Sequence, residues 1–206
     1  MSGIVYLITP GEATATDFNA SRDAILQTVE YAVNLGVDMI QIREKQLPAR
    51  LLFELTRDVV EAARGSETKI LVNDRFDIAM AAGADGVHLT SVSMPTEAVR
   101  AMTPKEVVIG VSTHSLASAE AAKNAGAQFV VLGPVFETPG KDTPLGLEQF
   151  RAACETLSSF PVIALGGINL ENAESAMEAG AAGVAGIGAF NEVQSLKVLC
   201  RDRKEW

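Results

Sequence analysis

Cysteine is scarce. Cys154 and Cys200 are the only two in 206 residues, and they form neither a metal-ligand spacing nor a disulfide framework, which fits a reducing cytoplasm. No apolar run reaches the roughly 18 residues that a membrane span needs. The first residues show no basic region ahead of an apolar one, so neither a membrane segment nor a signal peptide is expected. Positive charge is in deficit: 17 Lys and Arg stand against 26 Asp and Glu, a net charge of −9. A nucleic-acid binder usually carries a basic stripe, and none is present. The late group Arg201, Arg203 and Lys204 is broken by Asp202 and Glu205 and reads as the last turn of a helix, where cations suit the dipole. No low-complexity linker divides the chain, so one domain over 1–206 is expected. Histidine is limited to His88 and His114, which narrows the candidates for proton transfer near neutral pH.

What the sequence does have is repetition. "NLGVDMIQI" at 34–42, "AAGADGVHL" at 81–89, "NAGAQFVVLG" at 124–133 and "EAGAAGVAGI" at 178–187 each join a helix-like segment, a Gly and a short apolar run. A Gly just past a helix is the usual left-handed stop. Four further apolar runs, at 4–9, 69–73, 107–112 and 161–167, lie between these phrases. All are continuous rather than alternating, as in parallel strands covered on both faces. Helices are expected over 19–35, 48–64, 76–83, 95–102, 115–125, 146–157, 170–179 and 191–205. In the second of them Leu51, Leu52, Leu55, Val59 and Ala62 recur at helical spacing. Eight strands alternating with eight helices in about 200 residues describe an α/β fold, a single (β/α)8 TIM barrel near its minimum length. An open doubly wound sheet would favour G-x-G-x-x-G after the first strand, where the chain reads Thr9-Pro10-Gly11-Glu12.

Barrel active sites lie where strands exit, so polar residues there are the candidates. The second strand runs into "QIREK". Alternate residues of a strand share a face, so Gln41, Arg43 and Lys45 point one way. Arg43 and Lys45 read either as an anion grip, fork plus point charge, or as rim charges bridged to acids. Asn73 and Asp74 read either as a helix cap or, for Asp74, as a carboxylate for Mg²⁺, which takes one or two carboxylates plus substrate phosphates. Ser112 and His114 end the fifth strand. Thr138 and Lys141 lie on the loop "ETPGKDTPLG", where Lys141 is either a solvated lysine or a reach toward an anion. "LGGI" at 165–168 and "AGIGAF" at 185–190 place glycines at exits seven and eight, where barrels often bind phosphate through bare backbone amides; tight turns are the plainer reading. His114, beyond its strand, is the stronger candidate for proton transfer than His88, inside one.

"QIREK", "LVNDRFDIAMAAGADGVHL", "IGVSTHSLASAEAAKNAGAQFVVLGPVFETPGK" and "PVIALGGI…AGAAGVAGIGAF" together resemble the thiamine phosphate synthase family, including its TenI-type thiazole tautomerase branch. The likeness runs in order from about residue 4 to 190. It implies a Mg²⁺-dependent coupling of aminopyrimidine-methyl diphosphate with thiazole phosphate, both small-molecule substrates, with a homo-oligomeric assembly left open. By that resemblance Gln41, Arg43, Lys45 and Asn73 hold the diphosphate and Asp74 the metal. Ser112, Thr138 and Lys141 stabilise the departing pyrophosphate, and Gly167 with Gly186, Ile187 and Gly188 takes the thiazole phosphate. The chain departs from the family where a second metal-binding acid usually follows the "VHL" strand: here stand Thr90, Ser91 and Val92. The tautomerase branch also lacks that acid, and a histidine matching His114 carries its proton. A non-catalytic binder of thiazole or thiamine phosphates is the third reading.

Overall fold

The computed structural model describes residues 3–141 and 143–203. Eight strands alternate with helices: β1 Ile4–Ile8, β2 Met39–Ile42, β3 Lys69–Asn73, β4 Gly86–Leu89, β5 Val108–Thr113, β6 Phe129–Leu132, β7 Val162–Leu165 and β8 Gly183–Gly186. The helices between them are α1 Phe18–Asn34, α2 Ala49–Ala62, α3 Phe76–Ala82, α4 Thr96–Met102, α5 Leu116–Asn124, α6 Gly146–Thr156 and α7 Ala173–Glu178, with α8 Val193–Asp202 last. Every strand pairs in parallel with its neighbour and β1 closes on β8, with Val5 opposite Val184 and Leu7 opposite Gly186. The expected barrel is the observed one.

The continuous apolar strands resolve into two cores. Val5, Leu7, Ile40, Ile42, Ile70, Val72, Val87 and Leu89 face outward and pack beneath the helices with residues such as Leu55 and Val59 of α2. Tyr6, Ile8, Met39, Leu71, Phe129, Val131, Ile163 and Ala185 fill the barrel itself. The two-residue period of a strand separates the sets. The lumen is narrow enough to need absences: a Cβ on Gly110 would sit 2.2 Å from the Phe129 ring.

The four repeated phrases are one device. Gly36, Gly83, Gly126 and Gly180 all hold positive φ, at 72°, 75°, 96° and 96°. In each case the next amide bonds back five residues: Val37 to Ala32, Ala84 to Ala79, Ala127 to Ala122 and Ala181 to Ala176. That is the Schellman closure, which satisfies orphan carbonyls and turns the chain into the next strand.

Two helices are shorter than the sequence suggests. Residues 170–172 do not join α7, because Asn side chains hold a turn there. Asn172 Oδ1 accepts from the Asn169 amide, and Asn172 Nδ2 donates to Gly167 O. At the last helix, Ala189–Asn191 form a 3-10 turn before α8. Asn191 Nδ2 donates to Ile8 O and Ile187 O, tying that turn to the barrel seam. Residues 204 and 205, expected in the last helix, lie outside the described residues.

Candidate active site

All strands run parallel, so their carboxyl ends share one rim. Arg43 and the glycines near 167 and 187 therefore emerge at the same end, and the inward positions of successive strands bring Gln41, Arg43, Asn73, His88, Ser112 and Ile187 toward one mouth.

Above the barrel, cations gather. The Lys45 ammonium is held below the ordinary lysine range, first by partial burial and then by the positive charges of Arg43 and Lys141, with Asp74 pulling the other way. Lys45 thus feels two other cations and one carboxylate. Among the described residues no ion pair includes Arg43, Lys45 or Lys141. Glu44, lying between the two cations in sequence, faces away and is 2% exposed. Its carboxylate accepts from the Gly11 amide at 3.0 Å and the Ala13 amide at 2.9 Å, clipping the β1–α1 loop against β2. That loop is moulded on Arg43. Gly11 has φ 84°, and a Cβ there would sit 2.7 Å from Arg43 Nη1. Sequence reasoning missed Glu44, although its alternation out of phase with Arg43 and Lys45 was visible.

Asp74 has φ 66°, unusual for a non-glycine residue, and its amide donates to His88 O at 2.8 Å. It does not cap α3. The N-cap is Arg75, with no side-chain cap bond, and Arg75 pairs with the exposed Asp77. The carboxylate is left beside the cations. No cluster of three His, Cys, Asp or Glu side chains able to hold a metal occurs among the described residues. Mg²⁺ fits Asp74 in the manner typical of that ion, with one carboxylate and the remaining positions filled by phosphate oxygens and water.

Below the cations the lumen is polar in one line. Gln41 is buried, and its Nε2 donates to the Tyr6 hydroxyl at 2.9 Å. The Tyr6 hydroxyl lies 3.1 Å from His88 Nδ1, and His88 Nε2 lies 2.8 Å from Ser112 Oγ. Burial pushes the His88 pKa down to about 3 and raises that of Tyr6, so both are neutral. The Tyr6 ring packs edge-on to Phe129 at 5.8 Å between centroids. Gln41, expected at the diphosphate, directs its amide nitrogen to Tyr6 inside the barrel. Asn73 ends β3 half-buried, next to His88 in register.

At the β7 and β8 exits the glycines divide. Gly166 and Gly167 have φ 94° and 66°. A Cβ on Gly167 would meet Glu137 O at 2.5 Å, and one on Gly166 would meet Thr138 Oγ1 at 3.2 Å. The β6–α6 loop carrying Thr138 and Lys141 therefore rests on these glycines. Gly188 is exposed and opens the 3-10 turn, with space where a Cβ would stand. Gly186 has a packing reason to be glycine. It is buried in β8, and the Phe190 ring fills its Cβ position at 2.3 Å, so packing demands that glycine.

His114 lies just past β5. Its Nδ1 donates to Gly133 O at 2.6 Å, and the residue lines a hollow of about 260 Å³ together with Ser91, Glu97 and Ser112.

Comparison with known proteins agrees with this geometry. A family model described as thiamine monophosphate synthase matches residues 5–190. A putative thiamine-phosphate synthase of Geobacter sulfurreducens is 45% identical over 82% of this chain and 77% of its own length. A thiamine-phosphate synthase of Roseiflexus is 40% identical over 83% of this chain and 71% of its own. The solved thiamine phosphate pyrophosphorylase of Pyrococcus furiosus superimposes with a TM-score of 0.85 at 30% identity, covering 98% of this chain and 96% of that one. A barrel of this register, matched along nearly its whole length, places the chain in the thiamine monophosphate synthase family.

Proposed function

We propose that the protein couples aminopyrimidine-methyl diphosphate to thiazole phosphate, giving thiamine phosphate and diphosphate. The observation that carries this reading is the group of three cations, Arg43, Lys45 and Lys141, with the single carboxylate of Asp74 near Lys45 and none of the three in an ion pair among the described residues. Like charges held together imply a multiply charged anion between them. A single phosphate at the glycine exits would not need them.

The reaction asks little covalent chemistry of the protein. The bond from the pyrimidine methylene to the diphosphate oxygen breaks, and its electron pair leaves with the diphosphate. The electron-rich pyrimidine carries the resulting cation until the thiazole nitrogen donates its lone pair to the methylene. Arg43, Lys45 and Lys141 neutralise the leaving group, with Asn73 and Thr138 as further polar contacts. Asp74 would hold Mg²⁺, which would supply additional positive charge to the leaving group. The amides of Gly167, Ile187 and Gly188 receive the thiazole phosphate, which holds the two reacting atoms at contact distance.

The bond from His114 Nδ1 to Gly133 O favours one second reading, a thiazole tautomerase, because it leaves Nε2 able to take and return a proton. The test incubates the protein with both substrates and Mg²⁺ and follows thiamine phosphate by mass spectrometry. Asp74→Asn should abolish Mg²⁺-dependent coupling and His114→Ala should leave most of it. Isomerisation of a thiazole carboxylate phosphate, spared by Asp74→Asn and lost in His114→Ala, would replace the coupling reading. Saturable binding with neither turnover would mark a carrier.

A further inference from the structure

We infer that Asn172 and Asn191 are positioning residues: they aim the backbone amides of Ile168 and Gly188, at the β7 and β8 exits, toward the phosphate of the thiazole substrate. This rests on the phosphate site proposed above. The orientation of the two side chains stands independently of it.

Both orientations are fixed by partners that cannot exchange roles. Asn172 accepts from the Asn169 amide, a donor only, at 2.9 Å. Its other atom is therefore the nitrogen, which donates to Gly167 O at 2.8 Å. Asn191 reaches two carbonyls, Ile8 O at 2.8 Å and Ile187 O at 2.6 Å, and only its amide nitrogen can donate to both. Each asparagine thus holds one carbonyl in the turn that follows its strand.

A planar trans peptide carries its N–H on the side opposite its C=O. The one cis bond among the described residues is Gly133–Pro134, so the Gly167–Ile168 and Ile187–Gly188 bonds are trans. Asn172 stands at the start of α7, in the outer layer of helices, and draws Gly167 O toward itself. The Ile168 N–H is left on the side of the mouth. The preceding peptide is set by the β6–α6 loop: the Phe136 amide donates to Gly166 O at 3.1 Å, which turns the Gly167 N–H away from that loop. Asn191 ties Ile187 O to the β8–β1 seam, and the Gly188 N–H lies opposite. Among the described residues none of the amides of Gly167, Ile168 and Gly188 donates to a protein acceptor. Ile168 is only 8% exposed, so a bare amide there calls for an acceptor from a ligand or water. Phosphate oxygens are acceptors of that kind. Neither asparagine touches the ligand in this scheme. Each keeps its peptide from turning, so binding need not order the backbone. Their weights differ. Ile187 O also accepts from the Asn191 backbone amide at 3.0 Å, whereas Gly167 O has Asn172 alone among the described residues.

Two measurements test it. The first titrates the ¹⁵N-labelled free protein with inorganic phosphate. The Ile168 and Gly188 amide protons should move downfield and saturate; phosphate that leaves both resonances in place overturns the proposal. In Asn172→Ala the dissociation constant read at Ile168 should rise about 10-fold, and in Asn191→Ala that read at Gly188 about 3-fold. An unchanged constant in either variant overturns the role of that residue. Arg203→Ala, at the far rim, is the stability control and should bind phosphate as the parent does. If it loses as much affinity as Asn172→Ala, the effect is general destabilisation and the positioning role fails. The second measurement follows thiamine phosphate formation. Asn172→Ala should raise KM for thiazole phosphate about 10-fold, with KM for the pyrimidine diphosphate unchanged and kcat within about 2-fold of the parent. Equal rises in both KM values, or a fall in kcat alone, overturn the proposal. If the unmodified protein makes no thiamine phosphate, the coupling reading fails while the phosphate titration still decides what the asparagines do.

Discussion

At the scale of single residues, Asp74 offers the cleanest substitution in the site. Its left-handed backbone, φ 66°, is one that Asn adopts about as readily as Asp and that Ala resists. Asp74→Asn should therefore leave thermal stability near that of the parent while removing the charge proposed to hold the metal; a large drop in melting temperature would mean the carboxylate is structural. Arg43→Lys makes a second case. Lysine keeps the charge but loses the planar fork, so coupling should fall markedly despite the conservative change, and Arg43→Ala should cost about 100-fold or more in kcat. Lys45 adds a pH effect. Its lowered pKa means the ammonium loses its proton earlier than a free lysine would, so affinity for inorganic diphosphate should weaken on the alkaline side below the ordinary lysine range. Bound anion favours the charged form, so binding measured calorimetrically at alkaline pH should take up protons. The cations were legible in the sequence because alternation along "QIREK" fixes a common face. The hydrogen-bonded line of Tyr6, Gln41, His88 and Ser112 was not, since its partners are 35, 82 and 24 residues apart and meet only once the barrel closes.

At the scale of elements, the glycine-ended helices and the clipped first loop make separate claims. Gly83 has φ 75° and nothing within 4 Å of a Cβ position, so Gly83→Ala should cost only the backbone term, about 1–2 kcal/mol by urea denaturation. Gly86, three residues on, would put a Cβ 2.1 Å from Val108 O between β4 and β5. Gly86→Ala should fail to give soluble protein, or unfold at far lower denaturant. The same phrase thus holds one glycine for conformation and one for space, a distinction that spacing alone does not draw. The element boundaries that the sequence misjudged are also local in origin. Apolar periodicity marks where a helix packs, but Asn side chains at 169, 172 and 191 bind backbone groups and hold turns in front of α7 and α8. Glu44→Gln bears on the β1–α1 loop. It keeps only one acceptor oxygen for two amides, so about 1–3 kcal/mol of stability should go, together with a weaker grip on diphosphate as Gly11 loosens over Arg43.

For the molecule as a whole, a closed parallel barrel separates the end that does chemistry from the end that holds the chain together. The cations, Asp74 and the glycines of the β7 and β8 exits all sit where strands finish. Where strands begin, the end of α8 is fastened: Arg203 pairs with Asp38 and donates to Gly36 O at 2.7 Å. The Asp38 carboxylate also accepts from the Val5 amide at 2.9 Å, so one acid joins β1, the entrance to β2 and the last helix. Breaking this clasp removes a half-buried ion pair and a bond to a carbonyl, worth about 1–3 kcal/mol. For a domain of this size each kcal/mol lowers the melting temperature by roughly 2–4 °C. Arg203→Ala should accordingly melt several degrees early while kcat and both KM values for coupling stay at parental levels. A variant that kept its melting temperature but lost turnover would show the two ends of the barrel to be coupled. In that event the division between a stabilising rim and a reacting rim would fail for this protein.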